Sequence, residues 1–312
     1  MTMMSTKGLL GRRALPVLAL GTLLALGGGS AVDAATASGQ TINAQQEVSG
    51  NWSGYIAQSS NGQSFSRVSG SWTQPSVGSS TQGYSAFWVG LGGASQQSQS
   101  LEQVGTAADT AGGQTTYYAW YELVPAGEVK LDLTIHPGDQ MTGAVTVNGT
   151  NVTVSLADKT TGQSVTKTLT MSNPDTSSAE WIAEAPSAQS PSGDLQTLPL
   201  ANFGNVTFTN TSATAGGHSG PVGDPNWTVQ QVDLQPSGAI GAVGGGGRFN
   251  PAGPDGVSQS SSADVLASSL SSDGSSFTVS YSASSAQTSD GTSGDAGGYP
   301  GDGYPGGYIY GY

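Results

Sequence analysis

The chain has 312 residues, with 48 Gly, no Cys, only 9% charged residues and a net charge of −13. That length allows one large or two ordinary domains, and an all-β sandwich can use the whole of it as one core. The absence of Cys excludes disulfides, thiol catalysis and thiolate metal sites, and the acidic surplus argues against nucleic-acid and anionic-membrane partners.

The N-terminus carries Lys7, Arg12 and Arg13 ahead of an apolar run over 14–26, followed by small residues at 32–34 and 35–37. This is the pattern of a secretory signal peptide over 1–34, too short and wrongly flanked for a stable membrane span. A secreted, extracellular protein with no membrane association after signal cleavage is therefore expected. Cleavage after Ala34 would remove those three basic residues and Asp33, leaving five basic and 20 acidic side chains and a net charge of −15. Protonating the carboxylates of such a chain takes it through neutrality to a small positive charge, where an ordinary protein would build up strong self-repulsion. The composition suits low pH.

After a Ser/Thr/Gln spacer over 35–49, apolar runs rich in β-branched and aromatic residues recur at 52–57, 65–72, 86–91, 115–124, 129–135, 143–147, 152–156 and 165–169. They continue at 180–185, 206–208, 229–234 and 277–281. Short strands at this spacing, with Asn148-Gly149 and Thr161-Gly162 as turn signals, predict an all-β antiparallel sandwich forming one domain over 50–284. No segment shows helical periodicity over three turns; 263–270 is the best short candidate for a helix. Residues 186–197 directly follow an acidic strand and can overhang whatever its face contacts. Residues 238–262, with four consecutive Gly at 244–247, read as a flexible insertion, and 285–312, with Gly-Tyr-Pro repeated, as a disordered tail.

That acidic strand is Ser178-Ala179-Glu180-Trp181-Ile182-Ala183-Glu184-Ala185-Pro186. A period of two puts Trp181, Ala183 and Ala185 on one face and Glu180, Ile182 and Glu184 on the other. By pattern alone this is a half-buried strand with a solvated acidic face. The rest of the chain offers little competing chemistry. His136 precedes Pro137-Gly138 and His218 lies in a Gly-rich loop, neither in a GxSxG or HExxH context. Asp109-Thr110 is followed by Ala111 rather than Gly, which breaks the aspartic-peptidase signature, and no glycine cluster is followed by the Lys-Ser/Thr of a phosphate loop. By elimination the available chemistry is that of carboxylates and carboxamides. No cofactor is implied and no metal ligand set is assigned, although scattered Asp and carbonyls leave a calcium site open.

Six pieces in order resemble the glutamic peptidases (eqolisins). They are Asn51-Trp52-Ser53-Gly54-Tyr55, Phe87-Trp88-Val89-Gly90-Leu91, Leu101-Glu102-Gln103-Val104-Gly105, Tyr117-Tyr118-Ala119-Trp120-Tyr121-Glu122, Thr160-Thr161-Gly162-Gln163-Ser164-Val165 and Ala179-Glu180-Trp181-Ile182-Ala183-Glu184. Phe203 to Phe208 and Ser272 to Val279 extend the likeness. The resemblance implies two antiparallel sheets packed face to face, of the concanavalin A-like or jelly-roll type, and a secreted acid endopeptidase acting on polypeptides, here as a monomer. Its catalytic Gln and Glu fall on Gln103 and Glu184, and its substrate cleft on Trp88, Gly90, Tyr118, Trp120 and Glu122. Pepstatin-insensitive cleavage is expected.

The chemistry of such a pair is coherent. A carboxylate near its reference pKa of ~4.3 can deprotonate water in mild acid, where His would already be charged. The amide of Gln keeps its donor at any pH and can hydrogen-bond the oxyanion of the tetrahedral intermediate. Fungal members carry Asp where this chain has Gly92, Ala107 and Tyr118, and they have disulfides and a long basic propeptide that this chain lacks. Subsite preference and the tuning of Glu184 are the properties those departures touch. The competing expectation is a non-catalytic glycan- or peptide-binding sandwich with Trp88, Trp120 and Glu122 as its platform; a third is a cell-surface structural protein attached through its Tyr/Gly tail.

Overall fold

In the computed structural model of the chain the described residues are 44–78, 82–95, 98–189, 195–235 and 263–283. They form strands and no helix. In chain order these are β1 (Gln45–Ser49), β2 (Trp52–Ser59), β3 (Phe65–Thr73), β4 (Gly83–Gly92), β5 (Leu101–Ala111), β6 (Gln114–Val124), β7 (Val129–Thr134), β8 (Gln140–Asn148) and β9 (Asn151–Asp158). The second half contributes β10 (Gln163–Thr170), β11 (Ser178–Glu184), β12 (Ser187–Gln189), β13 (Leu195–Thr197), β14 (Asn205–Ala215), β15 (His218–Gly220), β16 (Trp227–Leu234), β17 (Ala263–Ala267) and β18 (Phe277–Ala283). Every apolar run read from the sequence coincides with or overlaps one of these strands.

One hydrogen-bonded sheet runs in the order β10-β9-β8-β3-β14-β18-β17-β16-β2-β11-β4-β5-β6-β7, with β1 added at β16 and β15 at β14, while β12 and β13 pair separately. The β1–β16 pair is parallel. The strands of the main path pair antiparallel, as β11 does with both β2 and β4. The sheet folds back on itself into two layers. Trp181 of β11 donates from Nε1 to the Ser69 carbonyl of β3 at 2.8 Å, and Trp72 of β3 donates to Thr106 Oγ1 of β5 at 2.9 Å.

Phe65, Val68, Val89, Val104, Val145, Val154 and Phe208 fill the space between the layers around these two indoles. Gly70 is what lets Trp181 lie there, since a Cβ at that position would sit 2.8 Å from the indole Cδ1. Truncating a buried Trp of this kind to Ala typically costs about 3–5 kcal/mol.

Three features differ from the sequence reading. The two layers are not separate sheets, because β18 and β17 carry the ladder from β14 across to β16. Ala263–Ala267 is a strand rather than a helix: all five residues pair with β18, and tertiary pairing overrides the helix preference of Ala and Leu. Gln45–Ser49 is a strand inside the segment read as spacer; its mostly polar side chains form no apolar run. The expected signal peptide at 1–34, the insertion at 238–262 and the tail at 285–312 lie outside the described residues.

Strands β2, β11, β4 and β5 are buried on both faces. One face joins the core between the layers. The other carries Trp52, Ile56, Ala86, Trp88, Ala107, Tyr118, Trp120 and Ile182, a second apolar cluster with its own chemistry.

Candidate active site

The ladder across β2, β11, β4, β5 and β6 sets three rows of side chains on this second face. The first row is Ile56, Glu180, Gly90, Gln103 and Glu122; the second is Gly54, Ile182, Trp88, Gly105 and Trp120; the third is Trp52, Glu184, Ala86, Ala107 and Tyr118. Rows two residues apart along a strand are separated by roughly 7 Å. Every site residue expected from the sequence therefore lies on one face. Gln103 and Glu184 stand two rows and two strands apart, with Trp88 and Trp120 in the row between them.

Glu184 is buried, and its carboxylate is held by two N–H donors. Trp88 Nε1 donates to Oε2 at 2.7 Å and Asn51 Nδ2 to Oε1 at 3.2 Å. Both supports are themselves fixed. Asn51 sits in the turn between β1 and β2, where Ser49 Oγ donates to Asn51 Oδ1 at 3.2 Å and accepts from Trp52 N at 3.0 Å, while Ala185 N donates to the Asn51 carbonyl at 2.8 Å.

The Trp88 indole packs edge-on against Trp52, with ring centroids 5.1 Å apart, and its six-membered ring lies over Gly90. A Cβ at Gly90 would be 2.9 Å from Trp88 Cζ3. Glycine is thus what allows this indole to reach from the first row to the carboxylate in the third.

Gln103 is fully buried and donates from Nε2 to Glu122 Oε2, its neighbour in the same row, at 2.7 Å. With Glu122 ionised and so only accepting, this bond fixes which end of the amide is nitrogen. An amide nitrogen carries two N–H donors, and Glu122 takes one of them.

Glu180 shares the strand face with Glu184 but not its environment. It is fully buried, and neither carboxylate oxygen has a hydrogen-bond partner. Burial pushes its pKa well above the usual carboxylate range, against the opposing effect of the nearby Ser178 hydroxyl and with the charges of Asp175 and Glu102 adding to the shift. Glu102, which leaves β5 beside Gln103 on the opposite face, is likewise fully buried and pushed up to about 8 by burial, against the hydrogen bond it accepts from the Asp175 backbone N–H and with a smaller rise from the Asp175 charge. The solvated acidic face that the pattern suggested is therefore absent: both glutamates of β11 are inside.

At the far end of the face Tyr118 OH donates to Asp109 Oδ2 at 2.9 Å, with Lys130 Nζ 3.8 Å from the Tyr118 ring centre. Burial raises the Asp109 pKa to about 7, against the opposing effects of Tyr118 and Lys130. The hairpin of β12 and β13 reaches this end too. Ala188 and Leu198 pack with Tyr84, which shares its face of β4 with Ala86 and Trp88. The two histidines pair elsewhere, His136 Nδ1 lying 3.6 Å from Asp139 and His218 Nε2 2.9 Å from Asp224, both in exposed positions.

The profile of the peptidase A4 family matches residues 50–240. The chain belongs to the peptidase A4 family, the glutamic peptidases. Aspergillopepsin-2 of Aspergillus niger is 34% identical over 221 residues, covering 62% of this chain and 73% of that protein. Scytalidopepsin B of Scytalidium lignicola is 32% identical over 204 residues, covering 62% and 75%. The crystal structure of scytalido-glutamic peptidase with a transition state analog inhibitor superposes with a TM-score of 0.57 at 26% identity, over 74% of this chain and 98% of that one.

Within this family member, sequence reasoning passed over four residues. Asn51 heads the first matching motif, Glu102 stands beside Gln103, and Asp109 belongs to a broken aspartic-peptidase signature; no local pattern marks a role for any of them. Asp175 lies in the connection before β11, where no local pattern marks it.

Proposed function

We propose that this glutamic peptidase is a secreted, acid-acting endopeptidase that cleaves polypeptides with Glu184 and Gln103. The observation that carries the reading is Glu184 itself, held by the N–H groups of Trp88 and Asn51 on the same sheet face that presents the oriented amide of Gln103. Glu184 accepts a proton from a water, whose oxygen attacks the scissile carbonyl. The negative charge that develops on the carbonyl oxygen is met by an N–H of Gln103. As the tetrahedral intermediate collapses, Glu184 returns the proton to the leaving amine, and no covalent intermediate forms.

Trp120, Glu122, Tyr118, Trp88 and Gly90 shape the floor on which the peptide lies. The same reading includes a monomeric enzyme, a jelly-roll type of sandwich, and no need of a cofactor. Ala107, Gly92 and Tyr118 remove the carboxylates that fungal members carry at those positions, so bond preference should differ from theirs. The direct test is digestion of casein or haemoglobin in acid with and without pepstatin. Cleavage that pepstatin leaves intact supports the reading; a binding module or surface protein would cleave nothing.

A further inference from the structure

Two carboxylates that the proposed reaction does not use, Glu102 and Asp175, meet at one end of the site strands, where β4 ends and β5 and β11 begin, and a third, Glu180 near the start of β11, lies close enough to feel the charge of both. Asp175, in the connection between β10 and β11, reaches over Gly92. A Cβ at Gly92 would lie 2.5 Å from Asp175 Cβ, so the Asp175 side chain occupies the space that a residue at 92 would otherwise fill. From there Asp175 Oδ2 accepts from Ser98 Oγ and from Gly93 N at 3.3 Å, and Oδ1 accepts from Ser177 N at 2.9 Å. Its own backbone N donates to Glu102 Oε1 at 3.1 Å. The network ties the segment after β4, the start of β5 and the approach to β11 to one residue, Asp175. Gln103 is the next residue along β5 from Glu102, and Glu180 lies opposite Gly90, which in turn lies opposite Gln103.

We propose that Glu102, Asp175 and Glu180 form a proton-dependent brace that positions Gln103 against the Glu184 strand, and that loss of its protons sets the basic limit of activity. This rests on the reading of Gln103 and Glu184 as the reacting pair. The brace needs one negative charge and two neutral acids. Hydrogen bonds from Ser98, Ser177 and Gly93 outweigh burial at Asp175 and hold its pKa below the usual range, so it is the charged member. Glu102 and Glu180 are the neutral ones. Glu102 Oε2 and both oxygens of Glu180 have no partner, an arrangement tolerable for a carboxylic acid and very costly for a buried anion.

The charged groups acting on Glu180 are Asp175 and Glu102, and the one acting on Glu102 is Asp175. Facing them, β4 contributes Gly90, Leu91 and Gly92, β2 contributes Ile56, and β6 contributes Glu122 opposite Gln103. No basic side chain among the described residues compensates either glutamate. When Glu102 and Glu180 ionise, two further buried negative charges therefore arise within reach of the one already on Asp175. Asp109, the other acid raised toward neutrality, belongs to the Tyr118–Lys130 end and is not part of this brace.

The test uses Glu102→Gln and Glu180→Gln in the full chain, each replacing an ionisable acid by a neutral side chain of the same size. Gln at 102 still offers an acceptor to the Asp175 N–H. For each variant kcat and KM are measured from about pH 3 to pH 8, with melting temperature in parallel. The basic limb of the kcat profile should move up by about one pH unit in either variant, whereas a purely structural role would lower kcat at every pH without moving the limb.

A measurement on the unaltered protein covers the case of a variant that does not fold. Its unfolding free energy should fall between about pH 5 and pH 7.5, with a slope showing that the folded state binds more protons than the unfolded chain. A limb unmoved in both variants, or a flat stability profile in the unaltered chain, overturns the brace. If instead Glu184→Gln kept its turnover while the limb moved, the brace would stand and the assignment of the reacting pair would fail.

Discussion

Glu180 and Glu184 leave the same strand on the same face, four residues apart, and the structure makes them opposites. Glu184 accepts from Trp88 and Asn51. Glu180 has no hydrogen-bond partner and is pushed toward the neutral acid by burial. Residue type, strand and face are shared, so the difference lies wholly in what neighbouring strands bring to each position. Two N–H donors at Glu184 fit the proton-exchanging role proposed for it, whereas the burial of Glu180 favours the neutral acid.

The hardest blow to that comparison would come at the reacting pair. Glu184→Gln keeps size and polarity but cannot take a proton, and turnover should fall by at least about 10³-fold with the circular dichroism spectrum unchanged. Gln103→Ala should cost about 10²–10³-fold, mostly in kcat, because its donor matters more in the transition state than in the ground state.

One step smaller is Trp88→Phe, which keeps an aromatic ring on the face and deletes the N–H to Glu184. A hydrogen bond to a charged group is worth about 1.5–3 kcal/mol, so kcat should drop roughly ten- to hundredfold while the melting temperature moves little. Steady-state kinetics beside a melting curve checks both halves. Gly90→Ala acts on the same indole by crowding. Overpacking of this kind costs about 1–3 kcal/mol, and a variant with unaltered stability and kinetics would show that the indole does not need the room.

The smallest expected effects concern pH. Glu102 is raised from 4.5 to about 8 in the folded chain, so between those values the folded state holds a proton that the unfolded chain has lost. Its contribution to stability is complete below about pH 4.5 and is lost as pH rises through 8. Glu180 and Asp109 shift in the same direction. Thermal unfolding should show the melting temperature falling from acid toward pH 8, and Glu102→Gln should recover several degrees of that loss at the basic end. A melting temperature that climbs steadily toward pH 8 would contradict the shifts.

The sequence disclosed the strands with clear apolar runs, and it disclosed the face of β11. It did not disclose β5, the strand that carries Gln103. Leu101–Ala111 is buried along almost its whole length, so no alternation of apolar and polar residues marks it. Only the motif around Gln103 pointed there. The solvated-face reading of β11 failed for a related reason: whether Glu180 and Glu184 meet water depends on β2, β4 and the second apolar cluster, none of which is local to the strand. Asp175 was illegible altogether, because its role comes from reaching over Gly92, a contact across the sheet that no spacing in the chain encodes. Composition did point to acid, but it suggested a crowded surface, whereas the structure locates the strongest shifts in buried side chains.

The most direct test sets the two glutamates of β11 side by side. Glu180→Gln and Glu184→Gln would be assayed on one peptide at about pH 4, with folding confirmed by circular dichroism. The account predicts that Glu180→Gln still turns over and that Glu184→Gln does not. A dead Glu180→Gln beside an active Glu184→Gln would contradict it, and would move the proton-transfer role to the other end of the strand.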